Sequence, residues 1–160
     1  MKLRTTLILT TAALVVAAVA PATASAVKNF EGNTQQNRTI TMSVGDDNLL
    51  DRLRINWITR RCALSGSRFQ HITAFRRPYD ESNIDAFRDV GSFTVADRGR
   101  IRSRVRVVLI GQRTFDPANP AAEEWNGTFQ ASVVVRRRGR VIDRCRLRQI
   151  AWNATLVPAG

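Results

Sequence analysis

The chain has little histidine and little cysteine, and these shortages argue against several classes of active site. Its 160 residues include one histidine, His71, and two cysteines. Two cysteines with no group of histidines cannot supply the four ligands of a structural zinc site. The G-x-S-x-G turn of many hydrolases, the zinc-hydrolase motifs and the glycine-rich phosphate loops are also absent. We therefore interpret His71, which stands between Gln70 and Ile72, as a structural or exposed side chain, and we expect no cofactor.

The first 26 residues have the pattern of a secretory signal peptide. A basic start precedes an apolar stretch over 7–20, and the small residues Ala24 and Ala26 stand where a signal peptidase cleaves. The apolar stretch is short for a membrane span, although an uncleaved anchor is the alternative. We predict a single secreted domain over 27–160, extracellular or attached to the cell surface, with no membrane span after cleavage.

The predicted export favours a disulfide bond between the two cysteines, because disulfides persist in oxidising compartments. Cys62 and Cys145 both follow the predicted cleavage site, and an even count favours a bond between them. Two free thiols are the alternative. The bond would close a loop of about 80 residues, which the chain-entropy model values at about 4 kcal/mol.

Arginine dominates the charge of the chain. Lysine and arginine together number 25 against 13 acidic residues, and the formal net charge is +12. Loss of Lys2 and Arg4 with the signal peptide lowers it to +10 and leaves Lys28 as the remaining lysine. A GC-rich genome also favours arginine codons, so the arginine count alone is weak evidence of function.

Apolar residues recur at every second position along most of the chain, which predicts half-buried β-strands. In the run IRSRVRVVLIG over 101–111, this alternation places the arginines on one face and the aliphatic residues on the other. We interpret that face as solvated; a nucleic-acid-binding patch is the alternative. The arginines that could contact a polyanion are Arg102, Arg104 and Arg106 on this strand, with Arg136, Arg137, Arg138 and Arg140 around a hairpin turn at Gly139.

The fold predicted from these patterns is all-β, an antiparallel β-sandwich of jelly-roll or immunoglobulin-like architecture. The segment 76–91 breaks the alternation, and the spacing of Ile84 and Phe87 predicts a loop with one short helix. The segment 111–127 contains two prolines and is predicted to be a long connection. Strands are predicted over 38–44, 49–59, 68–75, 91–105 (with a tight turn at 97–99), 127–135 and 149–157.

A loose G-x-T-x-Q opening, two distant cysteines and a W-x-A closing strand follow one another along the chain. In these features the chain resembles a poorly characterised group of small, secreted, arginine-rich bacterial β-sandwich domains. The sequence departs from the opening motif of that group at Gln35 and Asn37. The resemblance implies an antiparallel β-sandwich and carries over no catalytic residue. The matching residues are Gly32, Thr34, Gln36, Cys62, Cys145, Trp152 and Ala154.

These patterns favour a secreted, non-catalytic binding or surface-associated module. Weak, salt-sensitive contacts with anionic polymers or cell-wall glycans are expected, without recognition of a nucleic-acid sequence. One alternative is a carbohydrate-binding module in which Trp125 and Tyr79 form the platform. Another is a hydrolase that uses carboxylates of the 116–124 loop, among them Glu123 and Glu124, since glycosidases need only two carboxylates at a fixed separation.

Overall fold

The computed structural model describes residues 27–96, 100–119 and 122–158, which form nine β-strands and their connections, with no α-helix. The predicted signal peptide and the predicted turn at 97–99 lie outside the described residues. Within these residues, no helix has the length and apolar character needed to cross a membrane. The strands are β1 (Lys28–Thr34), β2 (Thr39–Val44), β3 (Leu50–Ile58), β4 (Gln70–Arg76), β5 (Glu81–Ser82), β6 (Ala86–Ala96), β7 (Ile101–Thr114), β8 (Glu124–Arg137) and β9 (Arg140–Leu156).

All nine strands belong to one antiparallel sheet, in the order β4-β3-β2-β1-β9-β8-β7-β6-β5. The sheet is curled: aromatic rings from its two halves contact each other on its inner face. Trp57 on β3 and Phe129 on β8 have ring centroids 5.6 Å apart, and His71 on β4 lies 5.1 Å from Phe93 on β6. The all-β antiparallel prediction is confirmed. The sandwich architecture is not confirmed, because the strands form one continuous curled sheet.

Strand alternation divides the residues between a core inside the curl and a polar outer face. On β7, Val105 and Leu109 are fully buried, whereas Arg104 and Arg106 are exposed. The inner faces predicted for β2, β3 and β9 are buried in the same way. His71 lies within this aromatic interior, and its partial burial lowers the pKa of the imidazole. Ile110 follows the outward register and is 43% exposed.

The short helix predicted within 76–91 is not found. The segment contains the two-residue strand β5 and the first half of β6, and Phe87 is buried as an inward-facing strand residue. Its spacing from Ile84 mimics a helical turn, but pairing of β6 with β7 determines the backbone. Ile84 lies in the preceding turn and is exposed.

The connection predicted over 111–127 is shorter than expected, because the ladder between β7 and β8 continues through Thr114 and Glu124. Gly111 is an inward-facing position of β7. A Cβ atom there would lie 2.2 Å from the ring of Phe87, so only glycine leaves room for that ring. The alternation is therefore interrupted in the sequence at a point where the strand itself continues.

The Cys62–Cys145 disulfide predicted from the cysteine count is confirmed. It ties the segment after β3 to β9 along the part of β9 that does not pair with β1. Two backbone hydrogen bonds reinforce the attachment: Arg60 N donates to the carbonyl of Arg146, and Ala63 N donates to that of Arg144. The segment 60–63 thus lies beside β9 as an additional edge.

The hairpin turn predicted at Gly139 is also confirmed. Arg138 and Gly139 connect β8 to β9, with φ values of 49° and 82°. Two successive residues with positive φ are typical of the tight turns that match the twist of a hairpin. The turn places the arginines around it at the tip of the hairpin, in solvent.

Candidate functional site: an arginine groove

The register of the strands separates the charges along the length of the curled sheet. The β2–β3 turn, the start of β6 and the connection between β7 and β8 lie at one end of the sheet. We call this the acidic end, since most described carboxylates belong to it: Asp46, Asp47, Asp51, Asp80, Glu81, Asp85, Asp89, Asp116, Glu123 and Glu124. The opposite end, which contains the β8–β9 hairpin and the segment 60–63, is called the basic end.

Three arginines at the acidic end have carboxylate partners. Arg77 pairs with Asp47. Arg88 lies 3.4 Å from Glu81, and the Nε atom of Arg113 lies 2.8 Å from Glu123. The positive charge of these three side chains is compensated locally.

At the basic end, the outer faces of β7, β8 and β9 combine into two rows of arginine with a neutral strand between them. Arg106 on β7 is opposite Ser132 on β8, and Ser132 is opposite Arg146 on β9. Two residues along, Val134 lies between its own pair of arginines, Arg104 and Arg144. Since neighbouring strands are about 4.8 Å apart, the two arginine rows run about 10 Å apart at the backbone.

The side chains of these rows enclose three shallow, connected depressions on the outer face, two of about 400 Å³ and one of about 500 Å³. Gln130, Ser132 and Val134 form their floor. We call the whole feature the arginine groove. No described carboxylate or aromatic residue lines it, and none of its arginines makes an ion pair with a described residue. The arginines that line it are Arg60, Arg61, Arg104, Arg106, Arg144, Arg146 and Arg148.

Arg60 and Arg61 reach the groove because the disulfide fixes their segment against β9. Both residues line the depression that also contains Arg144 and Arg146, and Cys145 lies beneath it. Without the covalent bond, the segment would be held there by backbone hydrogen bonds and by those that Leu64 and Ser65 donate to Asp143. The disulfide therefore contributes to the site as well as to stability.

Asp143 is the described carboxylate closest in sequence to the groove, but it faces the inside. It is 5% exposed and accepts hydrogen bonds from the backbone N–H groups of Leu64 and Ser65 and from the Ser65 hydroxyl. The Ser65 hydroxyl and these N–H groups lower the pKa of Asp143 to about 2. Its charge is used to hold the 60–69 connection, and it does not neutralise the arginines outside.

Replacing Asp143 by asparagine should destabilise the protein at neutral pH and have little effect in strong acid. The pKa of Asp143 is about 2 in the folded protein, below the value of about 3.9 for an unfolded aspartate. Its stabilising contribution is therefore complete above the unfolded pKa and is lost as the pH falls through the folded pKa. Thermal melts of wild type and Asp143→Asn across this range should converge toward pH 2. A constant difference at every pH would contradict the assigned role.

Comparison with family models, curated proteins and solved structures finds no match for this chain.

The aromatic residues considered for a sugar platform lie in the core. Trp125 is fully buried and Tyr79 is 9% exposed, and both rings pack against Phe87. Burial also raises the pKa of Tyr79. A carbohydrate platform needs a ring face open to solvent, and neither side chain offers one.

The carboxylates considered for hydrolysis lie in different environments, one buried and ion-paired and the others partly or fully exposed. Glu123 is 1% exposed and lies between two cations, with Lys28 Nζ at 2.9 Å and Arg113 Nε at 2.8 Å. Glu124 is partly exposed at the start of β8, and Asp116 is exposed in the preceding connection. Glu123 thus has the environment of a buried ion pair that fastens the connection to β1 and β7.

Glu123→Gln should lower the free energy of unfolding by about 3 kcal/mol, because removal of one member of a buried pair leaves its partner uncompensated. The partner here is Arg113, whose side chain is 9% exposed. The neighbouring Glu124→Gln provides the control and should change stability by less than about 0.5 kcal/mol. Denaturant unfolding of the two variants measures both values. Equal effects would show that the ion pair does not stabilise the fold.

The exposed arginines predicted from the sequence are found on the outer face, but only some of them line the groove. Arg104 and Arg106 do, whereas Arg102 pairs across the strands with Arg136 beyond its end, and Arg137, Arg138 and Arg140 lie at the hairpin. The arginines of β9 and of 60–61 were missed. The β9 residues carry a signal, since DRCRLRQ over 143–149 alternates arginine with Cys145 and Leu147.

Proposed function

We infer that this protein is a secreted, non-catalytic binding module that holds anionic polymers in the arginine groove. The observation that carries this proposal is a set of arginines around a neutral floor that make no ion pair with a described residue, drawn from two strands and from the disulfide-anchored segment 60–63. Like charges held close together cost stability, and an anionic ligand relieves that repulsion. Guanidinium groups also bind phosphate and sulfate in a bidentate manner.

Several further features support this proposal. The disulfide is of the kind that persists outside the cytoplasm, which agrees with the predicted export. The groove is shallow and open, as expected for a polymer that lies along a surface. For the architecture, we propose that the two halves of the curled sheet pack on each other as in a sandwich, which the ring contact between His71 on β4 and Phe93 on β6 supports. The buried positions of Trp125 and Glu123 favour neither the sugar platform nor the hydrolase.

The test compares two double variants that remove the same charge. Arg106→Ala with Arg146→Ala removes the pair on either side of Ser132, whereas Arg52→Ala with Arg54→Ala removes two exposed arginines of β3, outside the groove. The groove variant should bind heparin at least about tenfold more weakly than wild type, as expected when charge-assisted hydrogen bonds are lost. The control should bind nearly as wild type does. Equal losses would mean that net charge, and not the groove, determines binding.

A further inference from the structure

The arginine groove has a repeat along its length that is set by the strands beneath it. Within the groove, the outward arginines are Arg104 and Arg106 on β7 and Arg144, Arg146 and Arg148 on β9. Successive outward residues of a strand are two positions apart in the sequence, which corresponds to a distance of about 7 Å. The groove therefore presents cationic positions on both sides of β8 at intervals of about 7 Å.

Covalent geometry indicates which polyanions share this interval. Two residues of an extended strand contain six backbone bonds, which together span about 7 Å. A phosphodiester chain in which three carbons separate the phosphates, as in poly(glycerol phosphate), also has six bonds from one phosphorus to the next. When extended, such a chain has nearly the same repeat as the groove. Linear polyphosphate, with two bonds per repeat, has a much closer spacing of charge.

The floor of the groove indicates what lies between the charges of the ligand. Ser132 offers one hydroxyl between Arg106 and Arg146, and Val134 is apolar at the next position. No aromatic side chain is among the described residues that line the groove. Proteins that bind single-stranded nucleic acids use aromatic rings to stack the bases. An extended nucleic-acid strand would lose base stacking here without replacing it, so a polymer without bases fits better.

We propose that the ligand of the arginine groove is an extended polyol-phosphate polymer of the poly(glycerol phosphate) type, lying along β8 with its phosphates between the two arginine rows. This inference rests on the proposed function and specifies its ligand class. Each phosphate in register is contacted by guanidinium groups from β7 and β9, and the phosphate beside Ser132 also accepts a hydrogen bond from its hydroxyl. The segment 60–63 adds Arg60 and Arg61 beyond β9.

The experiment compares three probes with equal numbers of phosphates at one low salt concentration: poly(glycerol phosphate), linear polyphosphate and an oligodeoxyadenylate. Charge density alone would make polyphosphate the tightest ligand. Matched spacing should instead make poly(glycerol phosphate) bind about tenfold more tightly than polyphosphate, which corresponds to about 1.4 kcal/mol. The oligodeoxyadenylate has the same six bonds between phosphates, and the stacking that its bases lose should make it bind about tenfold more weakly than poly(glycerol phosphate). The Arg106→Ala/Arg146→Ala variant should lose this preference, and the Arg52→Ala/Arg54→Ala control should keep it.

The outcomes separate the ligand class from the proposed function. If affinity follows charge density but still falls in the groove variant, the spacing inference is overturned and polyanion binding in the groove stands. If the oligodeoxyadenylate binds as tightly as poly(glycerol phosphate) or more tightly, the groove does not prefer a polymer without bases, and the inference fails. If neither heparin nor any of the three probes binds at low salt, both proposals fail.

Discussion

Raising the salt concentration from about 50 to about 200 mM should weaken binding of the protein to duplex DNA by about a thousandfold. A polyanion releases condensed counterions for every phosphate that an arginine neutralises, and the logarithm of the affinity falls by about 0.9 per contact for each unit of log salt. The groove offers Arg104, Arg106, Arg144, Arg146 and Arg148 on the strands alone, with Arg60 and Arg61 beside them. About six simultaneous contacts give a loss of this size.

Filter binding across this salt range, with two unrelated DNA sequences and with heparin, measures the effect. The two DNA sequences should bind equally, because the described residues that line the groove include no helix and no aromatic side chain that could read bases. Binding that resists salt would mean that contacts other than ion pairs dominate. A strong preference for one sequence would show that the arginines form a specific recognition surface for nucleic acid.

Replacing both Cys62 and Cys145 by serine should lower the free energy of unfolding by about 4 to 5 kcal/mol, because the bond closes a loop of 83 residues. For a domain of this size, such a loss corresponds to a fall in melting temperature of about 10 to 20 °C. Weaker polyanion binding should accompany it, since Arg60 and Arg61 are no longer fixed beside β9.

The control for this prediction is chemical reduction. Reductant should lower the melting temperature of wild type and leave that of the double serine variant unchanged. Non-reducing peptide mapping should show the two cysteine peptides linked. Two thiols that react with an alkylating reagent in the folded, exported protein would contradict the bond.

The inner and outer faces of most strands could be predicted from the sequence, because alternation follows directly from strand geometry. Ile40, Leu53, Phe129 and Trp152 all lie inside, as their positions in the pattern indicate. Strand β1 has no such signal, since KNFEGNT is mostly polar. It forms because β2 and β9 supply partners on both sides, and Gly32 allows close approach to the backbone of β9.

The groove could be predicted only in part. Alternation identified the arginines of β7, but their alignment with those of β9 depends on pairing through β8, which is a property of the whole sheet. The place of Arg60 and Arg61 depends on a bond between residues 83 positions apart. The separation of acidic and basic ends arises in the same way, because antiparallel pairing brings distant turns to one end. The sugar platform, given as an alternative for Trp125, needs an exposed ring, whereas the β7–β8 ladder places this side chain inside the sheet.

The most direct test of the account is to observe which arginine side chains contact a polyanion in solution. In NMR spectra of the Nε–Hε groups, titration with a heparin oligosaccharide should shift the signals of Arg104, Arg106, Arg144, Arg146 and Arg148. The signals of Arg52, Arg54 and Arg76, which are also exposed, on β3 and β4, should stay nearly unchanged. Shifts spread evenly over all exposed arginines, or confined to those outside the groove, would contradict the assignment of the groove as the binding site.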